Sequence, residues 1–167
     1  MMVLFASALA AVAFAYFGYP VSLICLSLLR RRVVRKAPFL PRLTFLITAC
    51  NEEKRIRAKL ENTLEIDYPH DLLQIMVASD GSNDATNVIV GEFANRGVEL
   101  LEIRERRGKE SAQKDAVAIA GGEVIVFSDV ATCIEPDALK KMMMNFADPT
   151  VGCVSSVDRV IGSDGKP

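Results

Sequence analysis

The chain has 167 residues, half of them apolar, with 21 acidic and 20 basic side chains and a single histidine. The charges are segregated: every acid lies at or beyond Glu52 and five of the bases lie between Arg30 and Lys36, so the remainder carries six more acids than bases. That excess argues against general nucleic-acid binding, and Cys25, Cys50, Cys133, Cys153 and the lone His70 show no spacing that would hold a metal.

Met2 to Leu29 contains no charged side chain, and Arg30-Arg31-Arg32-Val33-Val34-Arg35-Lys36 follows at once. At about 1.5 Å per helical residue this stretch crosses a hydrocarbon core of about 30 Å with room for tilt. Lysine and arginine flanks mark the cytoplasmic side, which predicts a single span in the inner (cytoplasmic) membrane, the N-terminus outside and the rest of the chain on the cytoplasmic face. A cleaved signal peptide would carry its positive charges before the apolar run; here they come after it. Gly18-Tyr19-Pro20 in mid-span predicts a kink. The anchor takes residues 2–29, and a basic flank and proline linker, 30–41, leads into one domain, 42–167. Cys25 falls in the anchor and the other cysteines in or beside expected strands, which predicts buried free thiols in a reducing compartment.

Beyond Pro38 and Pro41 the pattern alternates. Leu43–Thr48 reads as a β-rich apolar strand, and Glu52–Ile66 as a helix with Ile56, Leu60 and Leu64 on one stripe. Leu72–Ala78 is a second strand, Ala85–Ala94 a helix, Val98–Ile103 a third strand, and Lys109–Ala120 a helix ended by Gly121-Gly122. Val124–Phe127 is a wholly apolar strand of the kind buried on both faces. Pro136–Phe146 is a further helix and Gly152–Val157 a fifth strand. Strands and helices alternating at this spacing give an α/β fold, a mostly parallel sheet with helices on both faces. Ser163–Pro167 reads as a turn between two strands, so a chain ending there is expected to leave an edge strand and an apolar sheet face open.

In such a sheet ligands gather at the carboxyl ends of the strands, and the polar clusters fall there. Thr48-Ala49-Cys50-Asn51-Glu52-Glu53 follows the first strand, Ser79-Asp80-Gly81-Ser82-Asn83-Asp84 the second, and Ser128-Asp129-Val130-Ala131-Thr132 the fourth. Arg104-Glu105-Arg106-Arg107-Gly108-Lys109 leads into a helix. Each cluster also has a structural reading. The glutamates suit a helix N-terminus, Asp80-Gly81-Ser82 is a good turn and cap, the basic stretch suits a solvated loop, and Met142-Met143-Met144 suits packing. Together, carboxylates and a basic loop on one edge suit an anionic ligand held through magnesium or manganese, with Lys109 and free helix N–H groups reaching a phosphate.

In this order the segments resemble the family-2 glycosyltransferases, over roughly Leu43 to Val157. The first cluster resembles the segment whose Asn-Glu pair, here Asn51 and Glu52, borders the nucleoside. The second resembles an Asp-Asp-Gly-Ser turn whose acid, here Asp80, binds the base. Arg107-Gly108-Lys109 resembles the family's Gly-Lys segment near the phosphates, and Ser128-Asp129-Val130-Ala131 its Asp-x-Asp metal motif. The resemblance implies the GT-A, Rossmann-like nucleotide-sugar-binding fold. It also implies a donor site of Thr48, Asn51, Glu52, Asp80, Lys109, Ser128 and Asp129, with a divalent cation on Asp129.

Three positions depart from that pattern: Ala131 replaces the second motif acid, Ser79 the first acid of the turn, and Lys114 a usual asparagine. The acceptor site and the catalytic base are expected beyond Pro167, so no catalytic residue is assigned. The leading expectation is transfer of a sugar from a nucleotide-diphosphate sugar, UDP-linked, to a lipid-linked or polysaccharide acceptor at the membrane. The alternative is a non-catalytic membrane subunit that keeps a degenerate nucleotide-binding sheet and works through a membrane protein partner. A nucleotidyltransferase is disfavoured because its glycine-rich first loop is absent.

Overall fold

The computed structural model describes residues 1–29 and 33–157; the basic residues Arg30–Arg32 and the turn-like Ser163–Pro167 lie outside them. The chain divides into two compact units, Met1–Val34 and Arg35–Pro167. In the first, Met2–Leu29 is a continuous 28-residue helix, long and apolar enough to cross a membrane by length and composition. It comprises α1 (Met2–Ala13), a π-helical turn (Phe14–Gly18) and α2 (Tyr19–Leu29). Pro20 has no N–H, and its ring crowds the carbonyl four residues back. The wider turn, in which the Tyr19 N–H donates to the Phe14 carbonyl, takes up that mismatch. The hydroxyls of Ser7, Ser22 and Ser27 each donate to a carbonyl of their own helix at 2.8 Å, so the serine donors need no water.

The second unit is a four-stranded, wholly parallel sheet in the order β3-β2-β1-β4, with β1 Leu43–Ala49, β2 Leu73–Asp80, β3 Val98–Ile103 and β4 Val124–Asp129. Right-handed crossovers decide where the helices go. The first two connections step one way along the sheet and carry α3 (Ile56–Leu64) and α4 (Thr86–Gly91) to one face. The third steps back past β1 and carries α5 (Lys109–Ile119) to the other. A last helix, α6 (Ala138–Met143), follows β4 and runs on into a 3-10 turn, Met144–Ala147.

β1 is the spine. Its odd residues Leu43, Phe45 and Ile47 pack with Ile56 and Leu60 of α3, Val90 of α4 and Leu139 and Met143 of α6. Its even residue Leu46 packs with Met76, Ala78, Ile103 and the alanines Ala112 and Ala116 of α5. Burial on both faces explains the unbroken apolar run, at about 1.5–3 kcal/mol per large side chain removed from water. Residues 35–41 run along the body: the Arg35 N–H donates to the Asp148 carboxylate and the Ala37 N–H to the Met144 carbonyl. The buried Tyr68 hydroxyl donates to the Pro41 carbonyl at 2.7 Å. Burial first, and then the charge of Glu123, push that phenol up to about 12.

Four expectations need correction. Gly152–Val157 is not a strand; it has no ladder partner among the described residues and is largely exposed. The helix expected from Glu52 is regular only from Ile56. Residues 53–55 form a turn in which the Arg55 and Ile56 N–H groups both donate to the Glu52 carbonyl, while the amides of residues 51–53 donate to the side chains of Ser82, Thr86 and Asp84. The four thiols are free as expected, but none is buried. Cys133 and Cys153 lie in exposed loop and tail, and Cys50 sits at the turn after β1. Nor is Val124–Phe127 buried on both faces: β4 is an edge strand among the described residues, and Phe127 on it is half exposed.

Gly122 shows how closely the entry to β4 approaches β1. A Cβ there would lie 2.3 Å from the Thr44 nitrogen and 2.5 Å from the Leu43 carbonyl carbon, both backbone. Gly122→Ala is therefore expected to lower unfolding free energy by about 1–3 kcal/mol. Gly91→Ala, with open space at its Cβ, should leave it unchanged or raise it by up to about 1 kcal/mol. Urea unfolding of the chain in detergent micelles measures both.

Candidate active site

The loops after β1 and β2 are stitched together at the carboxyl edge. Asn51 takes a left-handed backbone conformation (φ 55°), which asparagine tolerates better than most residues. This turns its N–H onto the Ser82 hydroxyl at 3.1 Å, while its side-chain oxygen accepts the Asn83 N–H at 2.9 Å. The Glu52 N–H donates to the Thr86 hydroxyl at 2.8 Å, the Glu53 N–H to Asp84 at 3.1 Å, and the Glu53 carboxylate accepts the Ala85 N–H. Burial opposes ionisation of Asp84, but hydrogen bonds from the Thr86 hydroxyl and amide and from the Glu53 amide outweigh it and hold this carboxyl below its usual range.

Asp80, at the end of β2, is buried and holds the basic loop by its backbone. One carboxylate oxygen accepts the Arg107 N–H and the other the Gly108 N–H, both at 2.8 Å. The turn after it needs Gly81. Its φ is +64°, and a Cβ would lie 2.6 Å from the Arg106 nitrogen. The guanidinium of Arg107 pairs with Asp115.

Thr48, Lys109 and Asp129 meet at the crevice between β1 and β4. Thr48 lies in register with Asp129, and its hydroxyl faces Gln113 of α5 at 3.3 Å. Lys109, the first residue of α5, reaches Asp129 at 2.5 Å across an exposed ion pair. Strand alternation sends the neighbouring side chain the other way. The buried Ser128 hydroxyl accepts Lys59 on the α3 face. Of the expected site residues, then, Thr48, Asn51, Glu52, Lys109 and Asp129 share the edge, Asp80 lies beneath the basic loop, and Ser128 points into the core. Among the described residues no three metal-binding side chains cluster. Asp129 offers one accessible hard oxygen ligand, which fits magnesium or manganese only when diphosphate oxygens complete the shell.

Two polar residues of α3 escape the sequence pattern. Lys59 is 3% exposed, and its ammonium donates to Ser128 Oγ at 2.8 Å and to the Thr132 carbonyl at 2.6 Å, 5.4 Å from the centre of the Phe45 ring. One turn on, the Asn62 side-chain amide donates to the Ile134 carbonyl at 2.9 Å and accepts the Ile134 N–H at 2.8 Å. The stripe that is buried on α3 is Ile56, Lys59, Leu60 and Thr63. A lysine inside an i, i+3, i+4, i+7 stripe was the available signal.

Residues 44–166 match the family described as Glycosyl transferase family 2. The chain belongs to that family. It is 29% identical over 120 residues to the poly-beta-1,6-N-acetyl-D-glucosamine synthase of Staphylococcus epidermidis, covering 71% of this chain and 29% of that protein. It is 32% identical over 130 residues to the probable glycosyltransferase YdaM of Bacillus subtilis, covering 74% of this chain and 31% of that one. This chain therefore spans about three-tenths of these relatives' length. Among solved structures, the mannosyltransferase PcManGT of Pyrobaculum calidifontis, in complex with GDP-Man and Mn2+, superposes with a TM-score of 0.75 at 34% identity, over 90% of this chain and 46% of that one. TarS of S. aureus, at 24% identity and a TM-score of 0.57, shares the fold. The expected GT-A architecture is thus the one the family member has.

Burial lowers the Lys59 ammonium to about 8, against the smaller opposing pull of Cys133 and Asp129. Below pH 8 it is protonated in both folded and unfolded chains, and the full cost of burying charge is present. Between pH 8 and about 10.5 the unfolded chain keeps a proton that the folded chain has released, so stability rises with pH by up to about 1.4 kcal/mol per unit. Tyr68 opposes this only above its ordinary value near 10. Urea unfolding at pH 7 to 10 should show this rise in the wild type relative to Lys59→Met; parallel curves would count against it.

Proposed function

We propose that this chain is the donor-binding portion of a membrane-anchored glycosyltransferase. It binds a nucleoside-diphosphate sugar, UDP-linked, and presents it for transfer to a lipid-linked or polysaccharide acceptor at the cytoplasmic membrane face. The observation that carries this reading is the meeting of Thr48, Lys109 and Asp129 at the β1/β4 crevice, the edge where open parallel sheets take nucleotides. Family membership, the polysaccharide synthases among its relatives and the apolar helix Met2–Leu29 support it.

In this reading Asn51 and Glu52 border the nucleoside, together with the loop that Asp80 holds. Lys109 and the unsatisfied N–H groups at the start of the 11-residue α5 face the diphosphate. Asp129 would hold the divalent cation, which supplies charge to stabilise the departing diphosphate. Lys109 adds fixed positive charge at the same place, where negative charge grows as the bond from sugar to diphosphate breaks. A transfer to an acceptor hydroxyl also needs a general base within hydrogen-bond reach. The base and the acceptor site belong, in this reading, to the part of the protein that the relatives have beyond the matched segment.

Calorimetric titration of the intact protein in detergent tests it. UDP should bind in the presence of Mn2+, and GDP at least about tenfold more weakly. Asp80→Ala should weaken UDP at least about tenfold, since it leaves two loop amides without their acceptor. Asp129→Ala should remove the manganese-dependent part of the affinity. Binding of neither UDP nor GDP would sink the proposal, tighter binding of GDP would overturn the uridine assignment, and a manganese-independent wild type would overturn the role of Asp129.

A further inference from the structure

We propose that Lys59 is a positioning residue of the donor site: from inside the core its ammonium ties the two ends of the turn that carries Asp129, the task for which this chain lacks a second motif carboxylate. The inference rests on the reading of Asp129 as the residue facing the donor diphosphate.

The turn after β4 has little to hold it from outside. Within it the Thr132 N–H donates back to the Asp129 carbonyl at 3.2 Å, and the Ser128 hydroxyl reaches the same carbonyl at a long 3.4 Å. Ala131 brings a methyl group where an acid would share a cation with Asp129 and tie the turn together. The one bond to the Asp129 side chain, from Lys109, joins two groups that are 55% and 60% exposed, and such pairs are worth little in water.

The inner side is different. Lys59 donates to Ser128 Oγ where the turn begins and to the Thr132 carbonyl where it closes. Asn62, three residues along the same face of α3, locks Ile134 through both its N–H and its carbonyl. The ammonium sits near the Phe45 ring, on a side chain that is 3% exposed. Hydrogen bonds from a charged donor in such surroundings are strong, and removal of the donor leaves their acceptors without partners. An apolar residue would fill the position at lower desolvation cost, so the lysine has a task that packing does not require. With the backbone fixed at residues 128, 132 and 134, strand alternation aims Asp129 to the α5 side, toward Thr48 and Lys109.

The test uses the intact protein in detergent and two variants, Lys59→Met, which keeps the length and apolar stem, and Ser128→Ala, which removes one acceptor. Hydrogen exchange of the amides from 129 to 134 should rise about tenfold in Lys59→Met and by less in Ser128→Ala, with the β2 amides from 75 to 79 unchanged. In the same preparations, manganese should strengthen UDP binding about tenfold less in Lys59→Met than in the wild type, while UDP affinity in EDTA stays the same. Unchanged exchange at 129–134, or a rise shared equally by β2, would overturn the proposal, because the lysine would then serve the turn not at all or only through global stability. Should Lys59→Met fail to fold, Ser128→Ala carries the same decision. A wild type that binds no UDP would remove the functional reading, while the exchange pattern would still decide whether Lys59 clamps the turn.

Discussion

The whole arrangement depends on β1 having a parallel partner on each side. Once β2 lies on one flank and β4 on the other, the chain must reverse its direction across the sheet, and right-handed crossovers then force α5 to the face opposite α3 and α4. The helices separate at that reversal and leave a crevice between the carboxyl ends of β1 and β4. The segments after β1, β2 and β4, and the basic loop before α5, all arrive at that edge. A burial constraint on one strand therefore gathers, in one place, residues as far apart in the chain as Thr48 and Asp129.

The loops at this edge are held mainly by side chains gripping backbone amides. Asp80 holds Arg107 and Gly108, Ser82 and Thr86 hold Asn51 and Glu52, and Asn62 holds Ile134. Such bonds fix the course of the backbone while leaving Lys109 and Asp129 at the surface, more than half exposed. The part that must meet a ligand is thereby separated from the part that keeps its shape. Lys59 extends this pattern to the turn after β4, from the buried side.

Much of the fold was legible because strands and helices announce themselves through period and punctuation. Val98–Ile103 appears with its expected bounds, and the apolar run Val124–Phe127 is a strand that continues through Asp129. Strand order was not legible, since period alone says nothing about which strand lies beside which. Gly152–Val157 failed for a related reason: a β-rich composition makes a strand only where a ladder partner exists, and it has none among the described residues. In the site, the four motif segments were readable as polar clusters after strands. What Asp80 and Ser128 touch was not. Asp80 spends both oxygens on backbone amides, and Ser128 faces Lys59, because alternation at the strand end sends neighbouring side chains to opposite faces. Lys59 itself was hidden by the ordinary expectation that a lysine on an amphipathic helix is solvated, although its place beside Ile56 and Leu60 marked it as inward.

Everything proposed for this site turns on the β1/β4 crevice receiving the diphosphate of a nucleotide-sugar, which a structure of the intact protein with UDP and Mn2+ would show. The diphosphate is expected at the carboxyl ends of β1 and β4, within hydrogen-bond distance of Lys109, with Asp129 as a ligand of the ion. A nucleotide seated elsewhere, or one in the crevice with Lys109 and Asp129 still paired to each other and touching neither phosphate nor metal, would contradict it.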